Sequence, residues 1–228
     1  MHLPQVSIPL PPRVVHLWFA KVDLVRGQPS RLRSSLSPAE LIRADGFRSK
    51  PDRDRFILIH AWLRRLLGSY LGEEPLALRF TYGQAGKPVL AGDRPPLHFN
   101  LSHCVDRVIA AVRRDAEVGI DLERIDPQRV DLGIAARLFS PQENQRLRTS
   151  PDAQRPERFF RAWTRLEASA KAVGTGLARY GSVDVPLAVR SFRPAPGMVA
   201  AVASPGNDWI AARAPISSPA EAGRAGNT

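Results

Sequence analysis

The sequence predicts two similar halves, each mixing helices and strands, and three observations carry that expectation. Ser37-Pro38-Ala39-Glu40 and Ser140-Pro141-Gln142-Glu143 are helix starts of one pattern: serine caps, proline suits the first turn, and glutamate three residues on can close a capping box. Ala61-Trp62 with Arg64 returns as Ala162-Trp163 with Arg165. Both signals recur at an offset of roughly 100 residues, about one small domain. Coincidence is the competing explanation, because capping boxes are common. The halves are expected to join near Asp115 to Val118. That gives an N-terminal half over 1–114, a C-terminal half over 115–216, and a small, polar, disordered tail over 217–228.

The elements follow in order. Val14 to Leu24 is rich in valine and aromatics and reads as a strand. Arg53 to Leu71 reads as a long helix, with Phe56, Ile59, Leu63, Leu66 and Leu67 on one side. Leu76 to Tyr82, Leu97 to Leu101 and Arg107 to Arg113 are strand candidates. In the second half, Arg158 to Val173 is a helix, with Gly174 or Gly176 as its C-cap. Val183 to Val189, Met198 to Ala203 and Trp209 to Ala214 complete the strands.

A chain of 228 residues with 43% hydrophobic content is large enough to bury a real core. Its single cysteine, Cys104, excludes an internal disulfide and a multi-cysteine zinc site, and fits a reducing, cytoplasmic compartment. No signal peptide is read over residues 1–12, and no run of 18 apolar residues is present to span a membrane. The formal charge is +11, almost all of it arginine, since lysine occurs only at positions 21, 50, 87 and 171. Such a surplus favours anionic partners, or is simply a solvated basic surface. The arginines are dispersed, which argues against nucleic acid.

The chemistry concentrates in a few segments. Val118-Gly119-Ile120-Asp121-Leu122-Glu123 is an apolar strand ending in two carboxylates, and residues two apart on a strand share a face. Asp121 and Glu123 therefore point together and repel unless a cation sits between them. A hard divalent ion such as Mg²⁺ suits them; a solvated strand end is the plainer alternative. On the second long helix, Trp163, Glu167 and Lys171 fall at i, i+4 and i+8 on one face. Glu167 with Lys171 can be a surface ion pair. Beside a tryptophan, the same pair can share a cation, accept a proton or neutralise a phosphate. Gly86-Lys87-Pro88 is a turn that holds a lysine. Phe99-Asn100-Leu101-Ser102-His103 ends a strand with a serine and a histidine, which point to opposite faces and form no hydrolase dyad. Neither a Walker loop nor a dinucleotide fingerprint is present.

The order of these segments, with Phe139-Ser140-Pro141-Gln142-Glu143 between the carboxylate strand and the tryptophan helix, resembles the Sfp-type phosphopantetheinyl transferases over about residues 37 to 177. The resemblance implies an α+β pseudo-dimer with coenzyme A in the cleft between two similar halves. It also implies transfer of the phosphopantetheine arm to a serine of an apo acyl or peptidyl carrier protein. By motif, Asp121, Glu123 and Glu167 would hold Mg²⁺. Lys171 and His103 would contact phosphates, and Lys87 the nucleotide end. Arg55, and in the same group Arg43, would lie near the 3′-phosphate. Glu167 is the candidate base, with a metal-bound water as the other option. Glu143 belongs to the family's F-S-x-x-E segment and is expected to cap its helix. Two departures stand out: Leu166 replaces the usual lysine before the glutamate, and Cys104 stands where serine is common. Asp121→Ala is expected to abolish transfer and spare the fold, on the view that a strand-end carboxylate is not core.

Three rival readings compete with this resemblance. A non-catalytic binder of RNA or another polyanion explains the charge but not the paired acids. A Mg²⁺-dependent nuclease or phosphatase leaves the Gly86 to Pro88 and Phe99 to His103 segments without a purpose. A degenerate relative that binds coenzyme A without reacting is suggested by Leu166. A two-halved chain of this kind is expected to work as a monomer.

Overall fold

Valine, tryptophan and phenylalanine crowd Val14–Lys21 (β1), and such side chains pack best on a pleated surface. In the computed structural model this strand begins a chain described over residues 8–22, 28–83, 85–93, 95–177 and 185–214. The expected tail at 217–228, the end of the first predicted strand and the start of the one at Val183 lie outside those residues.

Short helices α1 (Pro29–Leu32) and α2 (Pro38–Asp45) lead to the long α3 (Lys50–Leu71). The α2 start is the full capping box that the sequence proposes: Ser37 Oγ accepts from the Glu40 amide, and Glu40 reaches back to the Ser37 amide at 2.8 Å. After α3 come β2 (Phe80–Tyr82) and β3 (Pro88–Leu90), a small ribbon. The predicted strand from Leu76 is shorter than expected because Pro75–Ala77 forms a tight 3₁₀ turn. Its Pro75 carbonyl, together with that of Leu78, accepts from Arg64 at 2.7 and 3.0 Å. The hairpin β4 (His98–Cys104) and β5 (Arg107–Arg113) closes the first half.

The second half runs β6 (Gly119–Arg124), α4 (Leu132–Leu138), α5 (Pro141–Arg148), α6 (Arg155–Val173), β7 (Leu187–Phe192) and β8 (Met198–Pro205), followed by β9 (Ile210–Arg213). Gly174 ends α6 with φ of 77°, a left-handed conformation that glycine adopts without steric cost. The two main sheets have the orders β4-β5-β1-β9 and β6-β8-β7. Strand, long helix, then a hairpin whose second strand takes the centre is the order in both: β1, α3, β4, β5 and β6, α6, β7, β8. The last strand crosses over. β9 pairs parallel with β1, so Ile210–Arg213 belongs to the first sheet and not to its own half.

Each long helix covers its own sheet. Leu63, Leu66, Leu67 and Tyr70 of α3 pack on Trp18, Phe99, Ala110 and Val112. A buried leucine of this kind contributes about 2 kcal/mol. Tyr70 Oη also accepts from Trp18 Nε1 at 2.8 Å, so the buried indole N–H is satisfied. In the second half small residues meet, Ala168 and Ala172 of α6 against Ala201 and Ala203 of β8. Helix and sheet therefore approach closely. A shared core of Val15, Leu17, Ile109, Ile120, Leu122, Val202 and Trp209 joins the two sheets.

Where β4 meets β6, side chains do the stitching. Asn100 Oδ1 accepts from the Ile120 amide at 2.9 Å, and Ser102 Oγ from the Leu122 amide at 3.2 Å. The Phe99 to His103 segment thus aligns the end of β4 with the end of β6.

Candidate functional site

The ends of β4 and β6, the C-terminal turns of α6 and the N-terminal turns of α3 converge on one region. Alternation along β6 puts Asp121 and Glu123 on one face and buries Leu122 on the other. Asp121 is 4% exposed, so it is a buried group and not the solvated strand end the sequence suggests. Its Oδ1 accepts from Ser102 Oγ at 3.0 Å and from Lys171 Nζ at 2.6 Å. Its Oδ2 is buried and has no hydrogen-bond partner among the described residues. A buried carboxylate oxygen left bare is costly and calls for an explanation.

Lys171 crosses from α6 to the sheet, so the surface pair Glu167–Lys171 proposed from helix spacing is replaced by Lys171–Asp121. Glu167 is held above its ordinary value, first by burial; the Lys171 charge opposes this, and those of Asp121 and Glu123 add to it. Glu123 is raised in the same way, by burial and then by Asp121, against the pull of Arg129. Three carboxyl groups therefore share a field with too little positive charge. Among the described residues no three histidine, cysteine or acidic side chains already stand in a ligating arrangement. The bare Asp121 oxygen and the two raised glutamates nonetheless fit a hard divalent cation in donor type and charge.

Beside this acidic cluster lies a cavity of about 340 Å³. Arg43, Arg55 and His103 line it together with the aromatic side chains of Phe47, Phe56 and Tyr82, and with Gly86 and Pro88 of the turn. The protein around His103, and then the positive charges of Arg55, Lys171 and His60, push its imidazole below its ordinary value. His103 is therefore neutral near pH 7 in the free protein, and an anion beside it would favour its charged form.

Lys87 stands apart from the cavity. Its side chain is 11% exposed, and Nζ donates to Glu117 Oε2 at 2.6 Å and to the Val118 carbonyl at 3.1 Å. His98 Nδ1 meets the same carboxylate at 2.9 Å, and although burial works against it, these partners hold Glu117 at about 2. Lys87 thus ties the Gly86 turn to the start of β6, where a nucleotide contact was expected. Glu143 also lies away from the site. Its amide donates to Ser140 Oγ at 3.2 Å, and its carboxylate pairs with Arg146 at 3.4 Å. Ser140 caps α5 as expected, and the glutamate turns to its neighbour on the helix. Leu166 packs with Phe159 and Trp163 in a core cluster, so an apolar residue suits that position. Cys104 Sγ lies 3.8 Å from Glu123 Oε2, and burial pushes the thiol up and away from reactivity.

Three contributors were not assigned these roles from the sequence, although Ser102 and Gly119 lie in segments it singled out. Ser102 orients Asp121, and Gly119 lets α6 approach β6. His60 lines the cavity while its Nδ1 lies 3.2 Å from Glu40 Oε1. A lone histidine inside a helical pattern offers no such hint.

The sequence model of the 4′-phosphopantetheinyl transferase superfamily matches residues 117–207. That span holds Asp121, Glu123, Glu167 and Lys171, and excludes Arg43, Arg55, Lys87 and His103. The chain is 40% identical over 189 residues to the 4′-phosphopantetheinyl transferase HetI of a Nostoc species, covering 79% of each. It is 35% identical over 165 residues to a putative 4′-phosphopantetheinyl transferase of a Synechocystis species, covering 71% of this chain and 65% of that one. It is 36% identical over 156 residues to the 4′-phosphopantetheinyl transferase psf-1 of Bacillus pumilus, covering 68% and 65%.

Proposed function

Because the chain belongs to the 4′-phosphopantetheinyl transferase superfamily and is an enzyme of that class, we propose that it moves the phosphopantetheine arm of coenzyme A onto a serine of an apo acyl or peptidyl carrier protein. Adenosine 3′,5′-bisphosphate leaves. The observation that carries this reading is the acidic cluster of Asp121, Glu123 and Glu167 with Lys171, placed beside a cavity lined by Arg43, Arg55 and His103.

The cavity takes the nucleotide end of coenzyme A, with the aromatic walls against the base and the cations toward the 3′-phosphate. The repeated strand-helix-hairpin order supports a pseudo-dimer with its active site between the halves. Asp121, Glu123 and Glu167 would hold Mg²⁺, which when bound neutralises charge on the pyrophosphate. The residues of the chain do the rest. Lys171 and His103 bind and orient phosphate oxygens on which charge builds during transfer. Glu167 is the candidate base for the proton of the carrier serine, with a metal-bound water as the other option. Lys87 acts at one remove, by fixing the Gly86 turn at the cavity wall. The partner supplies the nucleophile, so the chain needs no catalytic serine. The +11 charge steers an acidic carrier toward it. Among the described residues no helix is long and apolar enough to cross a membrane. A cytoplasmic monomer remains our reading.

The release of adenosine 3′,5′-bisphosphate tests this function. Chromatography should detect the nucleotide when coenzyme A, Mg²⁺ and an apo carrier are all present, and not without the carrier. Nucleotide or phosphate release without any carrier would favour a hydrolase instead.

The raised glutamates give a pH prediction. A carboxyl whose folded value lies above its unfolded value costs stability as pH rises from the ordinary carboxylate range through the folded value. The metal-free protein therefore carries that cost in full at about pH 8 and less at about pH 5, while the cation needs the ionised groups. Millimolar Mg²⁺ should raise Tm by a few degrees at about pH 8 and by less at about pH 5. Equal shifts at both, measured by differential scanning fluorimetry, would contradict the ligand set.

A further inference from the structure

We propose that His60 is a phosphate-recognition residue for the nucleotide end of the donor, presented to the cavity by the buried Glu40–Arg64 ion pair. The inference rests on the coenzyme A reading of that cavity.

Glu40 and Arg64 are 3% and 1% exposed, and Arg64 Nε donates to Glu40 Oε2 at 2.7 Å. Ser37 donates to the same oxygen through its amide and its hydroxyl, at 2.8 and 2.9 Å. The arginine is itself fixed by the Pro75 and Leu78 carbonyls and by the ring of Phe80, 4.9 Å away. Burial alone would raise Glu40, but the hydrogen bonds from His60 and Ser37 and the charge of Arg64 outweigh it and hold the carboxyl at about 2. Glu40 is thus a permanent anion with one oxygen saturated. The other, Oε1, lies 3.2 Å from His60 Nδ1.

An ionised carboxylate only accepts, so Nδ1 must carry the proton. The tautomer is thereby set, and Nε2 is the ring nitrogen left for a ligand. The ring itself is clamped, stacked on Phe56 at 3.9 Å between centroids and 25° between planes. Arg43 sits over the same Phe56 ring at 5.3 Å. His60 therefore stands as an oriented group on a wall that also carries Arg43, Arg55 and His103. An anionic ligand there would favour the charged imidazolium, whose Nε2–H donates to a phosphate oxygen in a charge-assisted bond. The other charged or titratable groups facing this cavity are Asp52, from α3, and Tyr82, from β2.

Calorimetry with coenzyme A and with dephospho-coenzyme A, which lacks only the 3′-phosphate, tests the assignment without requiring transfer. His60→Ala should weaken coenzyme A binding roughly tenfold and dephospho-coenzyme A less than about twofold. His60→Arg supplies a permanent cation. It should keep the preference for the phosphorylated ligand. Equal weakening of both ligands, or no change in either, overturns the phosphate role. If the unaltered enzyme binds neither ligand, the coenzyme A reading of the cavity falls, and this proposal with it.

Discussion

Gly119→Ala is expected to destabilise the protein by on the order of 3 kcal/mol, which for a chain of this size lowers Tm by roughly 10 °C. A Cβ at Gly119 would stand 2.0 Å from the Ala168 carbonyl oxygen and 2.4 Å from the Ala172 nitrogen. Both are backbone atoms of α6, so no side chain can swing away, and the helix itself must shift. The small residues of that interface, Ala168 and Ala172 against Ala201 and Ala203, allow the close approach in the first place. Backbone contact also has a chemical consequence, because α6 carries Glu167 and Lys171 to Asp121 and Glu123. A displaced helix separates Lys171 from Asp121, and activity should fall with stability even at temperatures where the variant stays folded. Thermal denaturation and transfer rate measured on one preparation check this. A variant with unchanged Tm would show that the close approach is not a constraint.

Asp121→Asn is the second large effect, and it is expected on activity alone. The amide keeps the shape and an acceptor for Ser102, but removes the charge opposite Lys171. It also relieves Glu123 and Glu167, both raised by the Asp121 charge, so Tm should stay within a few degrees. Transfer should fall roughly 100- to 1000-fold. Asparagine serves better here than alanine. Asp121 is buried, so alanine would leave a void beside Lys171 and mix loss of function with loss of packing. Normal rates in Mg²⁺ would remove Asp121 from the site.

The contrast between these two residues bears on what the sequence made legible. Asp121, Glu123, Glu167 and Lys171 could be found because strand and helix periodicities put each pair on one face, and those periodicities are local. Their burial, and the partnership of Lys171 with Asp121 across 50 positions, depend on how α6 lies on β6, which no local pattern encodes. Lys87 illustrates the same limit. Its turn is visible in Gly86 and Pro88, yet the anion it meets, Glu117, comes from the junction between the halves. The repeated order of strand, long helix and hairpin was hinted at by the two Ser-Pro-x-Glu helix starts, of which only the first closes a full box, and by the repeated Ala-Trp. The return of β9 to the first sheet was not, since a short apolar run fits either sheet. Nothing in the spacing marks His60, whose role rests on the α2–α3 contact that brings Glu40 beside it.

Group transfer to a carrier can be read out by intact-protein mass spectrometry. Several apo carriers would be incubated with the enzyme, coenzyme A and Mg²⁺. We expect the mass gain of one phosphopantetheine arm on at least one carrier. The gain should disappear with EDTA and with a carrier whose serine is alanine. Unmodified carriers throughout, with coenzyme A still bound by calorimetry, would contradict the transfer reading and identify a binding protein instead.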